Sequence, residues 1–62
     1  MKIVCYNIQN GEDKEVIETT PTIQITGREV RDEDDCILLY FFDECWFSNS
    51  TGNGWYDWTV ES

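Results

Sequence analysis

The chain has 62 residues, thirteen Asp and Glu against four Lys and Arg, no histidine, and a formal net charge of −9. Such a surplus repels nucleic acid and anionic membrane while drawing in basic protein surfaces, so direct nucleic-acid binding is set aside and a basic protein is the expected partner. No apolar run approaches the roughly 20 residues of a membrane span, and a chain this short is expected to form one domain, residues 1–62, that buries only about 60% of its extended surface.

Residues 2–9, KIVCYNIQ, are rich in β-branched and aromatic positions and run into Asn10-Gly11, a two-residue hairpin signal. Residues 14–20, KEVIETT, then return antiparallel; Val4, Tyr6 and Ile8 share one face of the first strand, Ile3, Cys5 and Asn7 the other. Pro21 interrupts the pattern and Ile23 and Ile25 resume it, which predicts a bend or sheet switch near residue 21. Gly27 marks a turn or bulge.

Residues 28–35, REVRDEDD, hold five of the thirteen acids and two of the four bases, and with Val30 as their only apolar residue they are expected outside the core. The run ILLYFF at 37–42 is too short for a typical helix and rich in aromatics, which favours a buried central strand. A helix over about 28–42, with DEDD charging its first turn, is the competing expectation. Residues 45–48 and 55–60 bracket the polar loop NSTGNG and read as a second hairpin. Alternation along its return strand puts Trp55, Asp57 and Thr59 on one face and Tyr56, Trp58 and Val60 on the other, so one of Trp55 and Trp58 is expected to be partly exposed. The expected fold is all-β, or a β-rich α+β variant: a small single-domain barrel or two-layer antiparallel sheet of about five to six short strands.

Chemistry is sparsely represented. There is no histidine for general base work, no glycine-rich phosphate loop and no CxxC or HExxH, so no enzyme activity and no cofactor are expected. Cys5, Cys36 and Cys45 are odd in number and unpaired in spacing; they read as reduced thiols in apolar settings rather than zinc ligands. Asp32, Asp34 and Asp35 lack the glycine and the distal glutamate of a calcium loop, so no metal site is expected either. Asn49-Ser50-Thr51 matches a glycosylation triplet, but the segment after Met1 shows no cleavage pattern, so the triplet reads as turn chemistry and the expected location is cytoplasmic.

The acids and the aromatics are the better guides to function. A compact chain of this length measures roughly 27 Å across, and duplex DNA of that length carries about 16 charges. The monomer therefore holds about half the charge of the equivalent duplex, and a homodimer would hold about the whole. Eight of the nine aromatic residues fall between positions 40 and 58, more than so small a core easily encloses. Rings left at the surface beside acids would serve as anchors, with carboxylates steering the encounter. The residues expected to meet a partner are Glu29, Asp32, Glu33, Asp34, Asp35, Asp43, Glu44, Trp46, Trp55 and Tyr56, with Arg28 and Arg31 moderating the local repulsion.

The leading expectation is an acidic inhibitor or interaction protein that covers the nucleic-acid-binding surface of a basic protein by charge imitation. In size and composition alone, the chain resembles the small inhibitors that bacteriophages direct against host proteins. Two alternatives stay open: a small-barrel module reading peptides through a groove of Trp46, Trp55 and Tyr56, and a structural subunit whose aromatic face is buried in an assembly.

Overall fold

The computed structural model describes residues 1–7, 11 and 13–62. β-Branched alternation builds the first sheet. Strand β1 (Lys2–Tyr6) pairs antiparallel with β2 (Lys14–Glu18), as the hairpin reading requires, and on its other side with the last strand, β8 (Asp57–Glu61). The turn at Asn10 and the facing of Ile8 lie outside the described residues. Across these pairs Ile3 meets Ile17 and Val60, and Cys5 meets Glu15 and Trp58, whereas Tyr6 meets Lys14 and Asp57. Turning the Ile3 and Cys5 row inward keeps the charged row in water, and both residues are fully buried.

The chain leaves this sheet over residues 19–22, where Thr19 N–H donates to Met1 O at 2.9 Å and Thr20 Oγ1 donates to Thr22 O at 2.7 Å. Here lies the switch expected near Pro21. The second sheet is an antiparallel meander, β3 (Ile23–Ile25), β4 (Glu29–Asp32), β5 (Ile37–Phe42), β6 (Cys45–Ser48) and β7 (Gly54–Trp55), in chain order from edge to edge. The fold is thus all-β, with antiparallel sheets of three and five strands. ILLYFF is its central strand. Among the described residues eight strands form where five to six were expected, because residues 23–32 supply two of them and residues 54–61 divide between both sheets.

No helix spans 28–42. The Asp32 carboxylate accepts the N–H groups of Asp34 at 2.9 Å and Cys36 at 3.0 Å, which closes a turn directly after β4, and Asp35 adopts a positive φ of 67° that no right-handed helix admits. The expectation that 28–35 contributes nothing to the core is also corrected. Val30 is fully buried, because strand alternation turns it inward while Glu29 and Arg31 pair with each other on the opposite face.

The second hairpin holds only for Trp46 against Trp55 and Phe47 against Gly54. At Gly54 a Cβ would come within 3.1 Å of Cys45 Sγ and 3.3 Å of Phe47 Cε1, so glycine lets both side chains lie against β7. At Tyr56 the chain then turns a corner, its N–H shared between Tyr6 O at 3.1 Å and Asn7 Oδ1 at 3.0 Å. The corner breaks the alternation assumed across 55–60: Trp55 is buried in the core between the sheets, and Trp58 packs against that core while keeping the partial exposure expected of one of the two. Ile3, Cys5, Val30, Leu39 and Trp55 form the buried core there, with Ile17, Ile23, Leu38, Trp46 and Trp58 packed against it.

Candidate acidic and aromatic interaction surface

The acidic segment 29–36 is more ordered than a fan of carboxylates. Arg31 lies 3.2 Å from Glu29 and 3.5 Å from Asp35, and its guanidinium also donates to Asp35 O at 3.2 Å. Hydrogen bonding to Glu29, partly offset by desolvation and helped by the charge of Asp35, raises the Arg31 pKa above its ordinary value. Asp32 spends its carboxylate on its own turn. Glu33 and Asp34 remain as exposed carboxylates with no ion pair among the described residues.

Asp43 and Glu44 form the two-residue turn between β5 and β6, closed by the Phe42 and Cys45 pair. Both have positive φ, 51° and 61°, the geometry of a type I′ hairpin that usually takes Asn-Gly or Asp-Gly. Phe42, just before the turn, is 68% exposed, and Tyr56, at the corner, is 74% exposed. This turn and the 33–36 turn sit at opposite ends of β5, on the order of 20 Å apart at 3.3 Å per residue. The ten residues expected to form one surface are therefore divided. Asp32 to Asp35 lie at one end of the five-stranded sheet, Asp43, Glu44 and Tyr56 at the other, and Glu29 midway, opposite Tyr40.

The two tryptophans among those ten face the interior instead. Trp46 is half-buried, packed on Phe41 with ring centroids 5.1 Å apart and edge-on to Trp58 at 5.5 Å. Trp55, expected at the surface, is 5% exposed, since its pairing with Trp46 puts it on the inward face of β7.

Sequence reasoning missed Glu15. Its carboxylate accepts hydrogen bonds from Ser48 Oγ at 2.6 Å, Thr51 Oγ1 at 2.9 Å, Trp55 Nε1 at 3.2 Å and Asn53 Nδ2 at 3.4 Å, tying the 48–55 segment to the first sheet. Burial alone would raise the Glu15 pKa, but these donors outweigh it and the pKa is lowered. The signal that could have found it is its row: Glu15 shares the inward face of β2 with Ile17, opposite Cys5. Burial, with the charge of Glu15 added, in turn pushes the Cys5 thiol up to about 11. A carboxylate saturated with donors holds a loop; it is not free to relay protons.

No protein-family model, curated protein or solved structure matches this chain. What it can bind is set by its own surface. Among the described carboxylates only Glu15, Glu29 and Asp32 are partly buried and the rest are exposed, while of the four bases Arg31 is committed to Glu29 and Asp35. The described surface carries no pocket, and among the described residues no group of three His, Cys, Asp or Glu side chains is placed to hold a metal. Among the described residues no helix is long and apolar enough to cross a membrane.

Proposed function

We propose that this chain is a cytoplasmic, non-enzymatic acidic protein that occupies the basic, nucleic-acid-facing surface of another protein by charge imitation. The observation that carries this reading is the exposure of nine of the twelve described carboxylates on a body whose longest extent is 29 Å. Duplex DNA of that length carries about 17 charges, so a net −9 reproduces roughly half its charge. The two acidic turns, about 20 Å apart along β5, would reach phosphate sites several nucleotides apart on a basic surface. Neutralising that surface releases its counterions, as nucleic acid would, and inhibition is competitive. A groove reader fits less well, because Trp55 is interior and Trp46 packs half-buried against Phe41 and Trp58, which leaves Tyr56 as the one exposed ring of its three.

The test is capture of proteins from lysate on the immobilised full chain at ~50 and ~200 mM salt, a range over which phosphate-like contacts weaken by orders of magnitude. Captured proteins are then challenged with the chain while bound to labelled nucleic acid. Salt-sensitive capture of nucleic-acid-binding proteins, with release of the label, is the expected outcome. Proteins that keep their nucleic acid when the chain binds, or tight binding of DNA by the chain itself, would overturn the reading.

A further inference from the structure

Resting on that reading, we infer that the partner is seated at the Phe42 and Tyr56 end of the five-stranded sheet, not at the 33–36 turn, and that it presents arginine side chains there. The two most exposed large apolar residues, Phe42 at 68% and Tyr56 at 74%, lie at this end. Cys45 stands between them: it pairs with Phe42 across the hairpin, and its thiol donates to Trp55 O at 3.3 Å. Trp46 pairs with Trp55, so the chain reaches Tyr56 at the Cys45 end of β6, the same end of the sheet as Phe42. Asp43 and Glu44 follow the first ring and Asp57 follows the second. None of the three has an ion pair among the described residues; Asp57 accepts Trp58 N–H at 2.8 Å, so Asp43 and Glu44 are the two uncommitted carboxylates. Arg28, whose carbonyl accepts Phe41 N–H at 2.7 Å, is the one base that the meander brings to this end.

The opposite turn offers charge without rings. Its Asp32 is turned onto its own backbone, its Asp35 is paired with Arg31, and no aromatic residue lies between Glu29 and Leu39. The charge of the 33–36 turn can steer an approaching cation, but the Phe42 end can hold one, with ring faces and carboxylates acting on the same group. Without a pocket, the cation must lie over exposed rings, which suits a planar guanidinium stacking on an aromatic face better than a strongly hydrated ammonium. The other exposed large apolar side chains, Met1, Val16 on β2, Ile25 on β3 and Val60 on β8, carry no ring and no such attraction.

The probes are fluorescent nona-arginine and nona-lysine peptides, titrated at low salt into the full chain and two double variants, Phe42→Ser/Tyr56→Ser and Glu33→Gln/Asp34→Asn. Amide NMR spectra report both the fold and the contact site. Nona-arginine should bind about fivefold more tightly than nona-lysine, with amide shifts centred on 42–45 and 56–57. The ring variant should erase that preference, while the 33/34 variant weakens both peptides alike and preserves it. If the ring variant does not fold, Phe42→Leu/Tyr56→Leu keeps the bulk, removes the ring faces and gives the same reading. A preference that survives loss of the rings, or shifts centred on 33–36, overturns this inference and leaves charge imitation standing. Failure of both peptides to bind overturns both.

Discussion

Glu15 is where a single side chain does most for the fold. Four donors converge on it, two of them from the buried residues Ser48 and Trp55. Removing the charge leaves those donors facing a weaker acceptor, so Glu15→Gln should cost about 2 kcal/mol, the range for hydrogen bonds to a charged group, read as a lower urea midpoint at neutral pH. The same contacts fix a pH dependence. Because the folded-state pKa of Glu15 is depressed, its stabilisation is complete above the ordinary value of 4.5 and is lost as the pH falls through the lower folded value. Glu15→Gln should flatten the stability profile on the acid side, measured by denaturation from neutral pH downward; an unchanged acid limb would show that other carboxylates dominate it. The three free thiols give an independent check on residue environment. Cys36 is exposed, Cys45 intermediate and Cys5 buried, with the Cys5 pKa at about 11. A thiol reagent should therefore label Cys36 first, and Cys5 only when the protein unfolds.

At the scale of elements, the β5–β6 hairpin is the strained part. Residues with a Cβ pay about 1–2 kcal/mol in the left-handed region, and Asp43 and Glu44 both occupy it. Glycine relieves that strain but brings its own chain entropy, so Glu44→Gly should stabilise the protein by about 0.5–1 kcal/mol and raise Tm by a few degrees. A lower Tm would mean that the Glu44 side chain makes a stabilising contact outweighing its backbone. The elements were legible in the sequence wherever local pattern and turn chemistry agree. KIVCY, KEVIE and ILLYFF are strands by composition, and Pro21 marks the passage between sheets. Val30 was not legible, because five acids around one apolar residue lower the average of the window, although alternation alone turns it inward. At 33–36 the sequence allowed more than one reading of DEDD, and the aspartate that would cap a helix closes a turn between strands.

At the scale of the molecule, charge acts as a whole. The Debye length is about 30 Å at ~0.01 M salt and about 10 Å at ~0.1 M, against a longest extent of 29 Å. At the lower concentration every carboxylate repels every other; at the higher one, only its neighbours. The three surface ion pairs among the described residues, lost to screening, contribute little. Added salt should therefore raise Tm, checked by thermal melts across that range, and a falling Tm would mean that attraction outweighs repulsion in the folded chain. Composition and alternation by themselves determined that the chain is β-rich, that it is strongly acidic and that some aromatic residues stay at its surface, because these follow from local sterics and from the ratio of surface to volume; that no helix spans 28–42 took the tertiary structure. Which rings those are, and which acids share an end with them, was decided only by the tertiary structure. A corner at Tyr56 and a meander that sends its acidic turns to opposite ends are properties of how distant segments pair, and no local window of residues contains them.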